Sequence, residues 1–363
     1  MCLIRKVTAY FQRYFSYTEP LPIILNKLKL LISITFLFIG FLSIAQFDFT
    51  DIDNRAKNIG FSPKSELAKN ITTGFKTDKE KIRALYIWVT ENISYDFELL
   101  ENEELQTEFY ISEENVIDKT LERKKAICSG YSLLFKKLCT DLGIECETVG
   151  GFSKQWMDSF LSKRVSDHAW NVVKIENNWY FIDTTWASKN EFNEERDDFW
   201  FFTKPESFIF SHYPENEKWT LLDHNISKDE FDQLPVINDR SFFEDQILVI
   251  YPIAETIVVD KDRIIKLELQ TKNTNRSISL LGYPWETYAS KNNLKFPSDA
   301  EYSKLSAEEA ARYNQVIPSL EIIKQEPIDD KLLIEAKVTS EGLKKFEVYV
   351  EGNAIAKFKV VLE

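Results

Sequence analysis

Residues 168–186 read HAWNVVKIENNWYFIDTTW. The run His168-Ala169-Trp170-Asn171-Val172-Val173 alternates like a strand, and Trp179-Tyr180-Phe181-Ile182-Asp183-Thr184-Thr185-Trp186 forms a second such run. Glu176-Asn177-Asn178 separates them, a connection short enough to predict an antiparallel hairpin. A hairpin can bring His168 and Asp183 together on one face, but only in the right register, which alternation alone does not set.

Upstream, Lys125-Ala126-Ile127-Cys128-Ser129-Gly130-Tyr131 leads into a helical pattern. Tyr131, Leu134, Phe135, Leu138, Cys139 and Leu142 recur at i, i+3, i+4 spacing, and Gly143 suits the position after the helix. Cys128 therefore falls at or just before the first turn, where unpaired N–H groups and the helix dipole favour an anion and thiols become reactive. A cysteine nucleophile also needs a base and a third group to orient that base. Cys128, His168 and Asp183 are the candidate catalytic residues in those roles. Each has an ordinary structural reading as well. Cys128 could continue the apolar stripe of its helix, a lone strand histidine is usually a satisfied surface or core group, and Asp183 could simply end its strand. The three contexts together favour chemistry.

Other features read more plainly. Cys139 lies on the helical stripe and Cys146 in a strand pattern over 144–152. They could pair, leaving Cys128 free, or all three could be thiols. His212 and His224 read as structural. Trp170 and Trp186, and Trp156 in the polar loop 153–167, are candidate substrate contacts, since an indole can shield a thiol and hold an apolar group. No His or Cys spacing resembles a zinc site and no calcium-binding loop occurs, so no metal or cofactor is expected.

At 363 residues, with 44% hydrophobic and 14% aromatic content, the chain has room for two globular domains. Its net charge of −13 argues against nucleic acid and anionic membrane surfaces as partners. Lys27 and Lys29 precede a 30–44 apolar run, too short for a comfortable membrane span, and Ser43-Ile44-Ala45 offers a small-x-small cleavage site. Residues 1–45 are thus expected to be a signal peptide, with an exported (secreted or periplasmic) product that is not inserted in a membrane once cleaved. An uncut signal anchor is the competing reading. Thr77-Asp78 offers a helix N-cap ahead of Ile82, Leu85, Tyr86, Val89 and Ile93. Residues 97–119 are rich in Glu with little periodicity and read as an exposed connection at the rim of a cleft. After residue 236, short β-like segments recur (247–252, 256–259, 264–270, 277–281, 331–338, 345–350 and 354–362), with one helical stretch at 305–313. That spacing predicts a β-sandwich, immunoglobulin-like in size, over 236–363, after a first domain at 46–235.

The blocks Lys81–Trp88 with Asn92–Asp96, Cys128-Ser129-Gly130-Tyr131, His168-Ala169-Trp170-Asn171 and Trp179–Trp186 together resemble the transglutaminase-like superfamily, within the papain-like cysteine fold. Phe202, Pro205, Phe208-Ile209, His212 and Pro214, with Trp219, are similar to the subgroup that includes kyphoscoliosis peptidase and cytokinesis protein 3. The resemblance covers roughly residues 50–225. It implies an α+β core with the cysteine helix packed on an antiparallel sheet. It also implies Cys128 as nucleophile, His168 as general base and acid, and Asp183 as its orienting group. The family chemistry attacks the amide or ester carbonyl of a protein or peptide to give a thioester, resolved by water or by an amine. Papain-like sites often add a glutamine upstream of the cysteine as oxyanion donor. Glu122-Arg123-Lys124-Lys125 occupy that stretch here, so the backbone N–H of Cys128 is the candidate donor. A binding module that keeps the fold without turnover is the rival reading.

Overall fold

The computed structural model describes residues 48–362 except 156–164, 190–194, 225, 239–240, 243–246, 260, 283–305, 307–318 and 341–342. The expected signal peptide, the loop residue Trp156 and, Ser306 apart, the helical stretch 305–313 lie outside the described residues. Ile52–Glu363 forms one compact unit of mixed helix and sheet.

Helices α1 (Thr50–Ala56) and α2 (Lys64–Ile71) precede α3 (Asp78–Asn92). The start of α3 is a capping box. Thr77 Oγ1 accepts from the Glu80 amide at 3.2 Å, and the Glu80 carboxylate accepts from the Thr77 amide at 2.8 Å. Strand β1 (Ser94–Tyr95) follows and pairs in parallel with β2 (Lys125–Ala126). Between them the structure differs from the expected open connection. Residues 97–123 form three helices, α4 (Phe97–Glu101), α5 (Glu103–Phe109) and α6 (Glu113–Arg123). Their N-caps are Asp96, Asn102 and Ser112, whose side chains accept from the amides of Leu99, Leu105 and Asn115. The first two are only one or two turns long and carry too few apolar positions to show a period, so their caps alone announce them.

Helix α7 (Cys128–Asp141) buries Tyr131, Leu134, Phe135, Leu138 and Cys139, the stripe expected from spacing. It packs on an antiparallel sheet of order β5-β4-β3-β6, formed by β3 (Cys146–Ser153), β4 (His168–Ile175), β5 (Asn178–Ile182) and β6 (His212–Pro214). Short helices α8 (Thr184–Ala187), α9 (Pro205–Phe208) and α10 (Lys228–Gln233) complete this half.

Strand β7 (Val236–Ile237) opens the second half, followed by β8 (Ile247–Tyr251), β9 (Thr256–Val259), β10 (Ile264–Thr271), β11 (Ile278–Gly282), β12 (Leu320–Ile328), β13 (Lys331–Val338), β14 (Lys345–Val350) and β15 (Asn353–Leu362). One sheet runs β12-β13-β10-β8. The other runs β11-β14-β15-β7, with β9 added parallel to β15. Strand β12 escaped the sequence reading. Most of its side chains are exposed, and it contains Pro327, as befits an edge strand without a buried face to print an alternation. The two halves share one apolar cluster in which Ile209, Phe210, Tyr213 and Phe231 join Ile237, Ile257, Phe346 and Phe358. Lys154, just past β3, donates to the carbonyl oxygens of Phe231, Asp232 and Leu234 at 2.5, 3.1 and 2.9 Å and so closes the C-terminus of α10.

Candidate active site

Cys128 is the first residue of α7 and half-buried. Its N-cap, Ile127, provides no side-chain cap, so no side chain there takes up the amides of the first turn. Gly130 sets how close this turn comes to its neighbours. A Cβ there would lie 2.6 Å from Ala126 Cβ and 2.7 Å from Thr120 Oγ1, both impossible contacts. Tyr110, at the end of α5, shares a 2.8 Å hydrogen bond with Ser129 Oγ, beside the thiol. Burial raises the Tyr95 phenol to about 12, and the nearby Cys128 adds to the shift. Burial and Cys128 also push the Tyr110 phenol up. Two protonated phenols therefore stand near Cys128, and Tyr110 is 41% exposed. The Glu-rich segment of the sequence supplies Tyr110 at the end of α5.

The hairpin register decides the other partners. Asn171 faces Ile182 and Ile175 faces Asn178. His168 at the start of β4 and Asp183 just past β5 therefore reach one another, with His168 Nε2 2.7 Å from Asp183 Oδ2. Both are buried. Asp183 also N-caps α8, where its Oδ1 accepts from the amides of Thr185 and Trp186 at 2.8 and 3.0 Å. Burial opposes charge on the His168 ring. The Asp183 carboxylate, through charge and hydrogen bond, and the Cys128 side chain outweigh it and raise His168 to about 10. Burial likewise opposes the Asp183 carboxylate, and the two histidines around it hold it well below the usual range. With Nε2 on Asp183, Nδ1 is the ring nitrogen left for the thiol. Asn171, third after His168, donates from Nδ2 to Ser132 O at 3.0 Å and so ties β4 to the cysteine helix.

The structure adds a residue that sequence reasoning assigned to packing. His212 on β6 places Nε2 3.1 Å from Asp183 Oδ2, the same oxygen that meets His168, and Nδ1 2.9 Å from Ser211 Oγ. Its only sequence signal is membership of the His212–Pro214 block. Burial, opposed by the bond to Asp183, lowers His212 to about 4. One ligand atom from each of His168, Asp183 and His212 lies within 4.8 Å of the others, so this trio could reach a cation, which would displace both N–H···O bonds.

The expected tryptophans divide. Trp170 is 1% exposed and packs edge-on against Phe208 and His212, so it shapes the histidine pair from beneath. Trp186 is half-buried, with its ring centroid 5.2 Å from that of His168 and 4.3 Å from that of His212. Cys139 and Cys146 are buried free thiols. Burial first, and then contact with Cys146, pushes Cys139 well above the ordinary thiol range.

The model of the transglutaminase-like superfamily matches residues 65–184. Residues 65–184 thus form a transglutaminase-like domain. The matched span contains α3, the cysteine helix and the hairpin through Asp183, and it ends before His212. Over 198 residues the chain is 31% identical to mouse kyphoscoliosis peptidase, covering 52% of this chain and 28% of that protein. Over 212 residues it is 28% identical to cytokinesis protein 3 of Schizosaccharomyces pombe, covering 55% and 23% respectively. A crystal structure of a TGase aligns with a TM-score of 0.26 and 19% identity, over 44% of this chain and 39% of that one. The chain spans about a quarter of the length of these two curated relatives. Among the described residues, no helix is long and apolar enough to cross a membrane.

Proposed function

We propose that the protein is an exported cysteine enzyme acting on amide bonds of proteins or peptides through Cys128, His168 and Asp183, with hydrolysis favoured over cross-linking. The observation that carries this reading is the His168 ring, bonded to the buried Asp183 carboxylate through Nε2 and acted on by Cys128 at an uncapped helix start. Export rests on Lys27, Lys29, the apolar run and Ser43-Ile44-Ala45.

In this mechanism His168 takes the thiol proton and Cys128 Sγ attacks the amide carbonyl carbon. The tetrahedral oxyanion forms near the amide N–H of Cys128 at the helix N-terminus. The C–N bond breaks as the departing amine takes a proton from His168, leaving a thioester on Cys128. Water then gives its proton to His168 and attacks the thioester, releasing the acid and the free thiol. An amine in place of water yields a new amide. The half-open position of Cys128 fits a polypeptide chain as substrate.

The second reading is a catalytically weak binding module. It is favoured by the absence of a glutamine in the stretch Glu122–Lys125, where papain-like sites place an oxyanion donor. The deciding experiment is incubation of the purified protein with a peptide amide probe that acylates active-site thiols. Adduct on Cys128 supports the enzyme. A folded protein whose Cys128 stays unlabelled across pH 5–9 supports the module.

A further inference from the structure

The Asp183 carboxylate is a buried anion with every acceptor direction occupied. Oδ1 takes the amides of Thr185 and Trp186, and Oδ2 takes both histidines. A carboxylate offers about four lone-pair sites, so this set is complete. An ionised carboxylate has no proton to give, and both ring nitrogens on Oδ2 must therefore donate. His212 then carries its hydrogen on Nε2 and presents a bare Nδ1 to Ser211, whose hydroxyl donates across 2.9 Å. The result is a one-way chain: Ser211 O–H to His212, His212 N–H to Asp183.

The His212 ring has little freedom. It stacks on Phe208 at 4.0 Å and 19°, sits 4.3 Å from Trp186 and 5.2 Å from Trp200, and is 1% exposed. Its strand is held to β3 by the pairing of His212 with Ser153. Terminal carboxylate torsions are soft, so the plane of Asp183 is set by what holds its two oxygens. The α8 amides hold Oδ1. Of the two donors on Oδ2, His168 exchanges protons at its other ring nitrogen during the reaction, which leaves His212 as the donor outside the proton transfers.

We propose that His212 is a positioning residue for Asp183: it clamps Oδ2 through the Nε2–H tautomer that the carboxylate requires and the Ser211 hydroxyl satisfies on the other side of the ring, so that the carboxylate keeps His168 aimed at Cys128 and at the attacking water. His212 itself touches no reacting atom. This inference rests on the catalytic reading of Cys128 and His168.

Two small probes on the full-length protein separate the steps. Iodoacetamide alkylation reads the nucleophilicity of Cys128. Steady-state turnover of p-nitrophenyl acetate reads deacylation, which needs His168 as base for water. His212→Leu, which has no donor, is expected to lower turnover about ten-fold or more while alkylation at neutral pH stays within about three-fold. His212→Gln, whose side-chain N–H can reach the same oxygen, should return turnover to within about three-fold of wild type. Ser211→Ala, a small change unsuited to unfolding the protein, should lower turnover several-fold with alkylation unchanged. Wild-type turnover in His212→Leu overturns the proposal. So does equal loss of both readouts in His212→Leu and His212→Gln, the pattern of a purely structural residue. Should His212→Leu not fold, wild-type turnover in Ser211→Ala overturns it. A wild-type protein inert to both probes removes the catalytic reading itself, whereas an active wild type with indifferent variants removes only the role of His212.

Discussion

Gly151 and Trp170 interlock across the first sheet. A Cβ at 151 would lie 2.4 Å from Trp170 Cη2 and 2.3 Å from the carbonyl oxygen of Tyr213. The missing side chain lets the indole slide under the histidines and lets β6, with His212, pair closely with β3. Gly151→Ala is therefore expected to destabilise the protein by about 1–3 kcal/mol through overpacking. Comparison of melting temperatures with wild type checks this, and an unchanged melting temperature would show that β6 can shift freely.

Cys128 should be the one cysteine of the described residues that reacts in the folded state. It is half-exposed beside His168, whereas Cys139 and Cys146 are buried. Peptide mapping after brief iodoacetamide treatment should find label on Cys128 alone, and Cys128→Ala should take up none. Label on Cys139 or Cys146 at a matching rate contradicts the assignment.

The site's contribution to stability should peak near pH 6.5. His168 is raised to about 10, so its stabilisation is complete below the ordinary histidine value of about 6.5 and is lost as pH rises from there to 10. His212 is lowered to about 4, so it costs stability as pH falls from 6.5 to 4. Asp183 is depressed and adds a further loss below the usual carboxylate range. Asp183→Asn should flatten the alkaline decline, because His168 then loses its charge partner. A melting series from pH 4 to 10 that keeps the wild-type alkaline slope in this variant would rule out the pairing as its source.

No cysteine or histidine occurs in 236–363, so the second half supplies neither thiol nor imidazole to the chemistry. A chain ending at Pro235 should keep Cys128 alkylation where it is folded. It should also melt lower, because Ile209, Phe210, Tyr213 and Phe231 lose their partners in the shared cluster. Loss of alkylation in a folded truncation would mean that the β-sandwich completes the site.

The mature N-terminus should lie near Gln46. Mass spectrometry of the native protein is the check, and a protein that retains residues 1–45 in the cytoplasm is the outcome that refutes export.

Much of this molecule was legible in residue order. The stripe from Tyr131 to Leu142, the hairpin around Glu176-Asn177-Asn178, the Thr77 cap and most sandwich strands are local patterns, because burial of one face prints a period of 3.6 or 2 on the sequence. The identities Cys128, His168 and Asp183 came from the same reading, each from its own short context. What residue order did not carry was anything settled through space. The register that lets His168 meet Asp183 depends on β4 packing against α7 while β5 pairs along its other edge. The capture of the same carboxylate by His212, twenty-nine residues further on, depends on β6 closing over Gly151. The burial of Trp170, the edge strand β12 and the core shared by the two halves belong to the same class. A periodic pattern reports which face of one element avoids water. Which buried polar groups satisfy one another is decided only when the elements pack, because a buried charge such as Asp183 accepts whatever donors the tertiary structure brings within hydrogen-bonding distance.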